Sequence, residues 1–268
     1  MSMAPESPKR GGVQSIDRAV ALLRCFTPGR PELSASEFAR LTGLSTSTTH
    51  RLLSALQANG LVRQVAHRRY ELGPLVLRLS HAVTARLDLR DAARPAMRRL
   101  RDLTGETVGL HVLLPNLTRA VVDQVESDQS LRRTYVGLGE PIPLNQGGPG
   151  KVLLAFLSER DREEVLARPL EAATPTTPVD PDTLRTELAA IRAQGYAISP
   201  AQRVPGINTV AVPIWDHTGR VTASISVTGP APRLPEERLR ELAAPAREAA
   251  WRVSELLGAA PEASHGEP

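Results

Sequence analysis

The stretch SASEFARLTGLSTSTTHRLLSALQANGLVRQVAHRRYEL, residues 34–72, leaves few folds open. Ser34 and Glu37 stand at the S-x-x-E spacing of a capping box and open a helix carrying Phe38 and Leu41. Gly43 supplies a residue that tolerates a left-handed turn, and a second helix begins near Ser45. At about 100° per residue, Thr49, Leu52, Leu53 and Leu56 share one face of that helix, which gives it a single side to bury. After Asn59-Gly60, the run Leu61–Val65 turns at Ala66-His67-Arg68 and returns through Arg69–Leu72 as a two-stranded hairpin. Upstream, Ser15 is placed to cap a helix through Ile16, Ala19, Val20, Leu22, Leu23 and Phe26, stopped at Pro28-Gly29. Cys25 lies in that segment and reads as a small buried residue. Helices this short cannot each hold a core, so the pattern predicts a winged helix-turn-helix.

The face of the second helix opposite its core carries Ser47, Arg51 and Ser54, with His50 at the edge. Short hydroxyls and one long cation suit a surface that approaches DNA closely, bonds base edges and grips phosphates. An ordinary solvated helix face is the alternative, but Glu and Lys, which such faces favour, are missing from this one. Arg63, Arg68 and Arg69 are expected near the hairpin tip, where a phosphate or a narrow minor groove would meet them. The candidate DNA contacts are therefore Ser36, Thr46, Ser47, Thr48, His50, Arg51, Ser54, Arg63, Arg68 and Arg69. His67, alone in a turn, reads as solvated.

Charge supports the assignment by its distribution. Residues 1–90 carry 13 basic against 6 acidic side chains, whereas the remaining 178 carry 20 against 23. That suits a module that neutralises phosphates joined to one that does not. The dominance of Arg over Lys could also follow genomic base bias, which explains the total better than the asymmetry. At 268 residues two cores are expected, and no apolar run approaches the roughly 18 residues of a membrane span. The opening MSMAPESPKRGG lacks an apolar region, which suggests a flexible tail rather than a signal peptide, and a lone cysteine fits a reducing cytoplasm.

VQSIDRAVALLRCF at 13–26, TGLSTSTTHRLL within the helix pair and YELGP at 70–74 resemble the IclR-type transcriptional regulators of bacteria. The likeness continues through TGETVGLHVL at 104–113, PLNQGGPGKVLLAFL at 143–157, QGYAISPAQRVPGINTVAVPIWD at 194–216 and SISVTGPAPRL at 224–234. The resemblance implies an α+β chain: a winged helix-turn-helix, a linker helix that helps dimerisation, and a C-terminal α/β domain similar to GAF domains that binds a small effector. The expected boundaries are a tail at 1–12, the DNA-binding domain at 13–74, a linker helix at 75–90, the effector domain at 91–258 and a tail at 259–268.

Read on its own residues, 75–87 is an apolar helical stretch with Leu75, Leu79 and Val83 at near-heptad spacing, and a second helix spans 89–103. Strands are expected at Thr107–Leu114 and Arg119–Glu126, then at Asn208–Ile214 and Val221–Thr228, with a closing helix over 235–257. PIPLNQGGPGK at 141–151 leads into a helix expected at Val152–Leu157. It is not a phosphate-binding P-loop, because Asn145 stands where Gly is needed and Val152 where Ser or Thr is needed. By resemblance this loop walls the effector pocket, with Gly148 and Pro149 at the positions whose backbone N–H groups serve carboxylates in the family; proline has none to give. The opposite wall, again by resemblance, comes from Ser199–Val212, where Ser199, Gln202 and Thr209 replace Asp, Glu and Cys. Gly148, Pro149, Ser199, Gln202, Ile207 and Thr209 are the candidate effector residues, and their neutrality predicts an effector less charged than the common carboxylates.

His111 sits in an alternating strand and reads as structural rather than as a metal ligand, and neither a metal nor a cofactor is expected. A ligand-responsive DNA-binding regulator follows, a repressor of a catabolic or metabolic operon. Its expected partners are double-stranded operator DNA, a small-molecule effector and further copies of itself as a homodimer or dimer of dimers, with no membrane. An α/β enzyme or a scaffold that binds no DNA are the alternatives, but no nucleophile elbow, Cys-His pair or metal quartet is present to support catalysis.

Overall fold

The computed structural model describes residues 13–27, 29–84, 89–135 and 137–260. The stop expected at Pro28, the end of the linker stretch and most of both tails lie outside them. The chain divides into two compact units at Arg86/Leu87.

The first unit holds α1 (Gln14–Leu23), β1 (Leu33–Ser34), α2 (Ala35–Thr42), α3 (Thr46–Ala58), β2 (Val62–Gln64), β3 (Arg69–Leu72) and α4 (Pro74–Thr84). Its centre is Leu22, Leu33, Phe38, Leu53, Leu56, Val62 and Tyr70, with the Phe26 ring edge-on to Phe38 at 5.3 Å. Ser34 caps α2 reciprocally: its hydroxyl accepts the Glu37 N–H, and the Glu37 carboxylate accepts the Ser34 N–H at 2.7 Å. Those bonds favour the ionised form and hold the Glu37 pKa below the usual carboxylate value. Gly43 ends the helix at φ 70°, as the turn requires. Two expectations are corrected here. Val13, not Ser15, is the cap residue of α1, and it makes no side-chain bond, because the helix starts one residue before Ser15. The wing also has a third strand, since Leu33 and Ser34 pair with Tyr70 and Arg69 to give the order β1-β3-β2.

The second unit is built on an antiparallel sheet ordered β5-β4-β8-β7-β6. Its elements are α5 (Leu89–Thr104), β4 (Thr107–Leu113), β5 (Arg119–Val125), α6 (Gly148–Ala155), α7 (Glu159–Leu166), α8 (Pro181–Gln194), β6 (Ala197–Pro200), β7 (Ile207–Trp215), β8 (Val221–Pro230) and α9 (Glu236–Leu256). One sheet face presents Val108, Leu110, Val210, Val212, Ile214, Ala223, Ile225 and Val227 to Met97 and Leu100 of α5 and Leu239, Ala246 and Val253 of α9. On the other face, Ala197 and Ala211 pack with Leu153 of α6 and with Leu184, Leu188 and Ile191 of α8.

Strand alternation then places Ser224, Ser226 and Thr228 of β8, Thr209 of β7 and His111 of β4 on that second side, all buried. Buried polar groups on this scale need partners or a purpose. Helix α6 also begins four residues earlier than expected. Gly147, at φ 83°, precedes it, and Pro149 falls in the first turn, where a missing N–H leaves no intrahelical bond unmade. Gly150 is required for packing, because a Cβ there would run into the Leu144 carbonyl.

Candidate functional site

Helix α3 is capped by Ser45, whose hydroxyl accepts the Thr48 N–H at 3.3 Å and lies 2.9 Å from the Thr48 hydroxyl. Thr49, Leu53 and Leu56 are buried and Leu52 packs beside them, which fixes the rotation of the helix. Ser47, His50, Arg51 and Ser54 are thereby exposed on one surface, with Thr46 exposed at its start and Ser36 on the first turn of α2. Thr48 is half-buried and committed to the cap. No described residue pairs with Arg51, so its guanidinium is available to an external anion.

The wing departs from the expected cluster of three arginines. Arg63 pairs across the ladder with Glu71, and Arg69 donates to the Glu32 carbonyl at 2.7 Å and lies 3.3 Å from the Glu37 carboxylate. Both are cross-links within the hairpin and its base. Arg68 alone occupies the tip, exposed and without an ion pair among the described residues. It follows His67, and both hold φ 56°, a left-handed pair that side chains with a Cβ adopt at a cost of about 1–2 kcal/mol each. The turn thus thrusts two basic-capable side chains outward from a strained backbone.

In the second unit a cavity lies against the hydroxyl-bearing sheet face, with about 40 Å³ of room for the centres of water molecules. Arg119, at the start of β5, is 3% exposed. Its Nη1 donates to His111 Nδ1 at 3.0 Å and its Nη2 to the Gln146 carbonyl at 3.0 Å, while Nε is buried without a partner. A guanidinium cannot accept, so His111 must accept at Nδ1 and carry its proton on Nε2, from which it donates to Ser226 Oγ at 2.9 Å. The hydroxyl chain continues from Ser226 to Tyr135 (3.2 Å), Thr228 (2.9 Å from Tyr135) and Thr209 (3.1 Å from Thr228). Arg133 stacks 4.9 Å from the Tyr135 ring centre, and Arg203 donates to the Gln146 side chain.

Burial, and secondarily the neighbouring Arg119, push the His111 pKa well below its ordinary value, so the ring is neutral. Burial also lowers Arg119 to about 9, and the fields of Arg203 and Arg133 add to the effect. Arg119 therefore remains charged at neutral pH.

The architecture around the cavity is held by Lys151. Its buried ammonium pairs with Glu187 of α8 and donates to the Ile198 carbonyl of β6 at 3.2 Å. One side chain thus ties the first turns of α6 to the strand that carries Ser199. Burial lowers the Lys151 pKa, and Glu187 opposes that fall.

Of the expected effector residues, Pro149, Ser199, Ile207 and Thr209 line the cavity. Gly148 packs beneath the lining against Ala197, Ala211 and Ser199, and Gly147 faces the cavity in its place. Gln202 is displaced altogether. Ala201, just past the end of β6, takes φ 50°, and Gln202 beyond it lines a separate groove with Glu187, Ile198, Glu236 and Arg240. Three cations outside the expected set join the lining. Arg119, Arg133 and Arg203 all line the cavity, and no Asp or Glu does.

Residues 15–66 match the IclR helix-turn-helix domain, and residues 81–255 match the bacterial transcriptional regulator IclR C-terminal domain. The acetate operon repressor of Salmonella typhimurium is 33% identical over 95% of this chain and 94% of its own length. An ICLR transcriptional regulator from Silicibacter sp. TM1040 superposes with a TM-score of 0.83 at 32% identity, covering 92% of this chain and 98% of that one. An IclR homologue from Microbacterium hydrocarbonoxydans, solved in complex with 4-hydroxybenzoate, gives a TM-score of 0.58 at 26% identity over 92% of this chain and 100% of its own. The chain belongs to the IclR family, whose members are ligand-responsive, DNA-binding transcriptional regulators and not enzymes.

Proposed function

We propose that this regulator represses a catabolic or metabolic operon by binding its operator as a homodimer or dimer of dimers, and that a small molecule in the second-unit cavity controls that binding. The observation that carries the reading is the α3 surface of Ser47, His50, Arg51 and Ser54, exposed opposite a fully packed core face. Its chemistry suits a major groove. Thr46 and Ser36 would flank that contact, and Arg68 would meet phosphate or the minor groove from the wing. Arg63 and Arg69 serve this reading indirectly, by holding the hairpin at a fixed angle. The repressor named above, 33% identical, supports the sign of regulation.

Self-association is supported by Val13, Ile16 and Val20, which expose one apolar stripe on and just before α1, and by the exposed Leu77 and Leu79 of α4. The reading divides the chain into a DNA-binding domain at 13–74, a linker at 75–90 and an effector domain at 91–258. Work in the cytoplasm accords with the described helices, none of which is long and apolar enough to cross a membrane. Control requires that the effector prefer one arrangement of the two DNA-reading modules over another, since a ligand with equal affinity for both shifts nothing. Fluorescence anisotropy with duplexes from the gene's own upstream region tests the proposal. Salt-dependent, sequence-selective binding is expected. Equal affinity for scrambled duplexes would refute it.

A further inference from the structure

We propose that the ligand of the cavity is a small organic dianion whose two acid groups are read by guanidinium side chains. The proposal rests on the effector reading above and adds the chemistry of the ligand.

The first argument is that three arginines converge on one cavity whose lining holds no carboxylate. Arg63, Arg69, Arg101, Arg132, Arg168, Arg185 and Arg233 each have a carboxylate partner within the protein. Arg119, Arg133 and Arg203 have none among the described residues, although Arg133 and Arg203 are close enough to bear on the charge of Arg119, and Arg133 on that of Arg203. Arg119 is buried and Arg133 and Arg203 are half-buried beside it, and like charges gathered away from bulk water favour an incoming anion. The lining therefore carries positive charge that an anionic ligand would answer.

The second argument is donor geometry. Arg119 uses one N–H on His111 and one on Gln146, so three of the five donors a guanidinium possesses remain, including the buried Nε–H. A carboxylate accepts from such a fork through two parallel bonds. Arg203 and Arg133 remain for a second acid group, and a single negative charge would leave both unanswered. Pro149 removes one N–H from the first turn of α6, which leaves more of the recognition to side chains.

The third argument is the rest of the lining. Val121, Ile142, Val204 and Ile207 offer an apolar wall, which a carbon skeleton fills and a bare oxyanion does not. The small volume limits that skeleton to a short chain or a single ring.

Isothermal titration of the full-length protein tests this with malonate, succinate, glutarate and phthalate, each beside its own monoamide, and with inorganic phosphate. At least one diacid should bind about 30-fold or more tighter than its monoamide, the effect expected when one charge-assisted bond pair is lost. Arg133→Gln and Arg203→Gln should each reduce that ratio to about fivefold or less in variants whose melting temperature matches wild type. Monoamide affinity should stay within about threefold. A diacid-to-monoamide ratio near one, or phosphate matching the best diacid, overturns the dianion while leaving an effector cavity standing. Absence of heat and of thermal shift with every compound overturns the effector reading together with it.

Discussion

Replacing Arg119 by methionine separates a ligand-binding cation from a structural cross-link. The side chain is 3% exposed, and burial lowers its pKa from the ordinary guanidinium range to about 9. That fall corresponds to roughly 4–5 kcal/mol working against the charged form. The cost is fully present below about pH 9 and is relieved as pH rises from there toward the ordinary guanidinium range. Near pH 7.5 the whole burden is therefore carried. Methionine fills a similar space with a flexible apolar chain and removes it. Against this, His111 Nδ1 and the Gln146 carbonyl lose their donor, at about 1–3 kcal/mol for each acceptor left unsatisfied. The balance, about 4–5 kcal/mol relieved against about 2–6 kcal/mol lost, centres Arg119→Met near wild-type stability, within about 2 kcal/mol below it and about 3 kcal/mol above it. Were Arg119 chiefly a cross-link, its loss would destabilise by about 3–5 kcal/mol. Urea unfolding followed by tryptophan fluorescence measures this cleanly, because Trp215 and Trp251, the chain's two tryptophans, both lie in the second unit. A midpoint lowered by the equivalent of about 3 kcal/mol or more at unchanged slope, the cross-link result, would refute the reasoning.

Ser34→Ala removes half of the capping box on α2 and should cost about 0.5–2 kcal/mol in the first unit, read as a lower melting temperature with duplex affinity at low temperature little changed. Arg51→Ala should lower affinity for all duplexes and reduce the salt slope by about one if it grips phosphate, or relax selectivity at one base pair if it reads guanine; an unchanged binding isotherm would remove Arg51 from the interface. His111 is neutral when folded and has a pKa well below 6.5, while the unfolded ring takes up a proton near 6.5, so stability should fall as pH drops below that value. His111→Gln should flatten this acid limb, whose slope is at most about 1.4 kcal/mol per pH unit for one proton, in urea midpoints collected between about pH 5 and 7.5.

Much of the first unit was legible because its signals are local. The capping box at Ser34 and Glu37, the Gly43 turn and the phase of Thr49, Leu53 and Leu56 each lie within one or two helical turns, where periodicity is informative. The tip cluster was misjudged because strand register, not proximity in sequence, brings Arg63 to Glu71 and Arg69 to Glu32 and Glu37. In the second unit the two hairpins were anticipated, but α7, α8 and β6 were not assigned. The cationic cavity was missed for a related reason. Arg119, Arg133 and Arg203 come from a strand end and two loops far apart in sequence, and only the closed sheet gathers them. One signal was available: Arg119 opens the apolar run Arg-Ala-Val-Val, where an inward-facing charge demands a partner. Gln202 lies outside the cavity because β6 ends at Pro200 and a left-handed backbone at Ala201 ends the period-two rule from which strand facing is read.

The central claim is that occupancy of the arginine-lined cavity alters DNA binding. Its most direct test is the dissociation constant for the upstream duplex, measured by anisotropy with and without the best-bound diacid, for wild type and Arg119→Met at one fixed salt concentration. A shift of about tenfold in wild type, the size of a coupling near 1.4 kcal/mol, with none in Arg119→Met, is the predicted result. Equal duplex affinity with and without the diacid in wild type, or the same shift in both proteins, would contradict it.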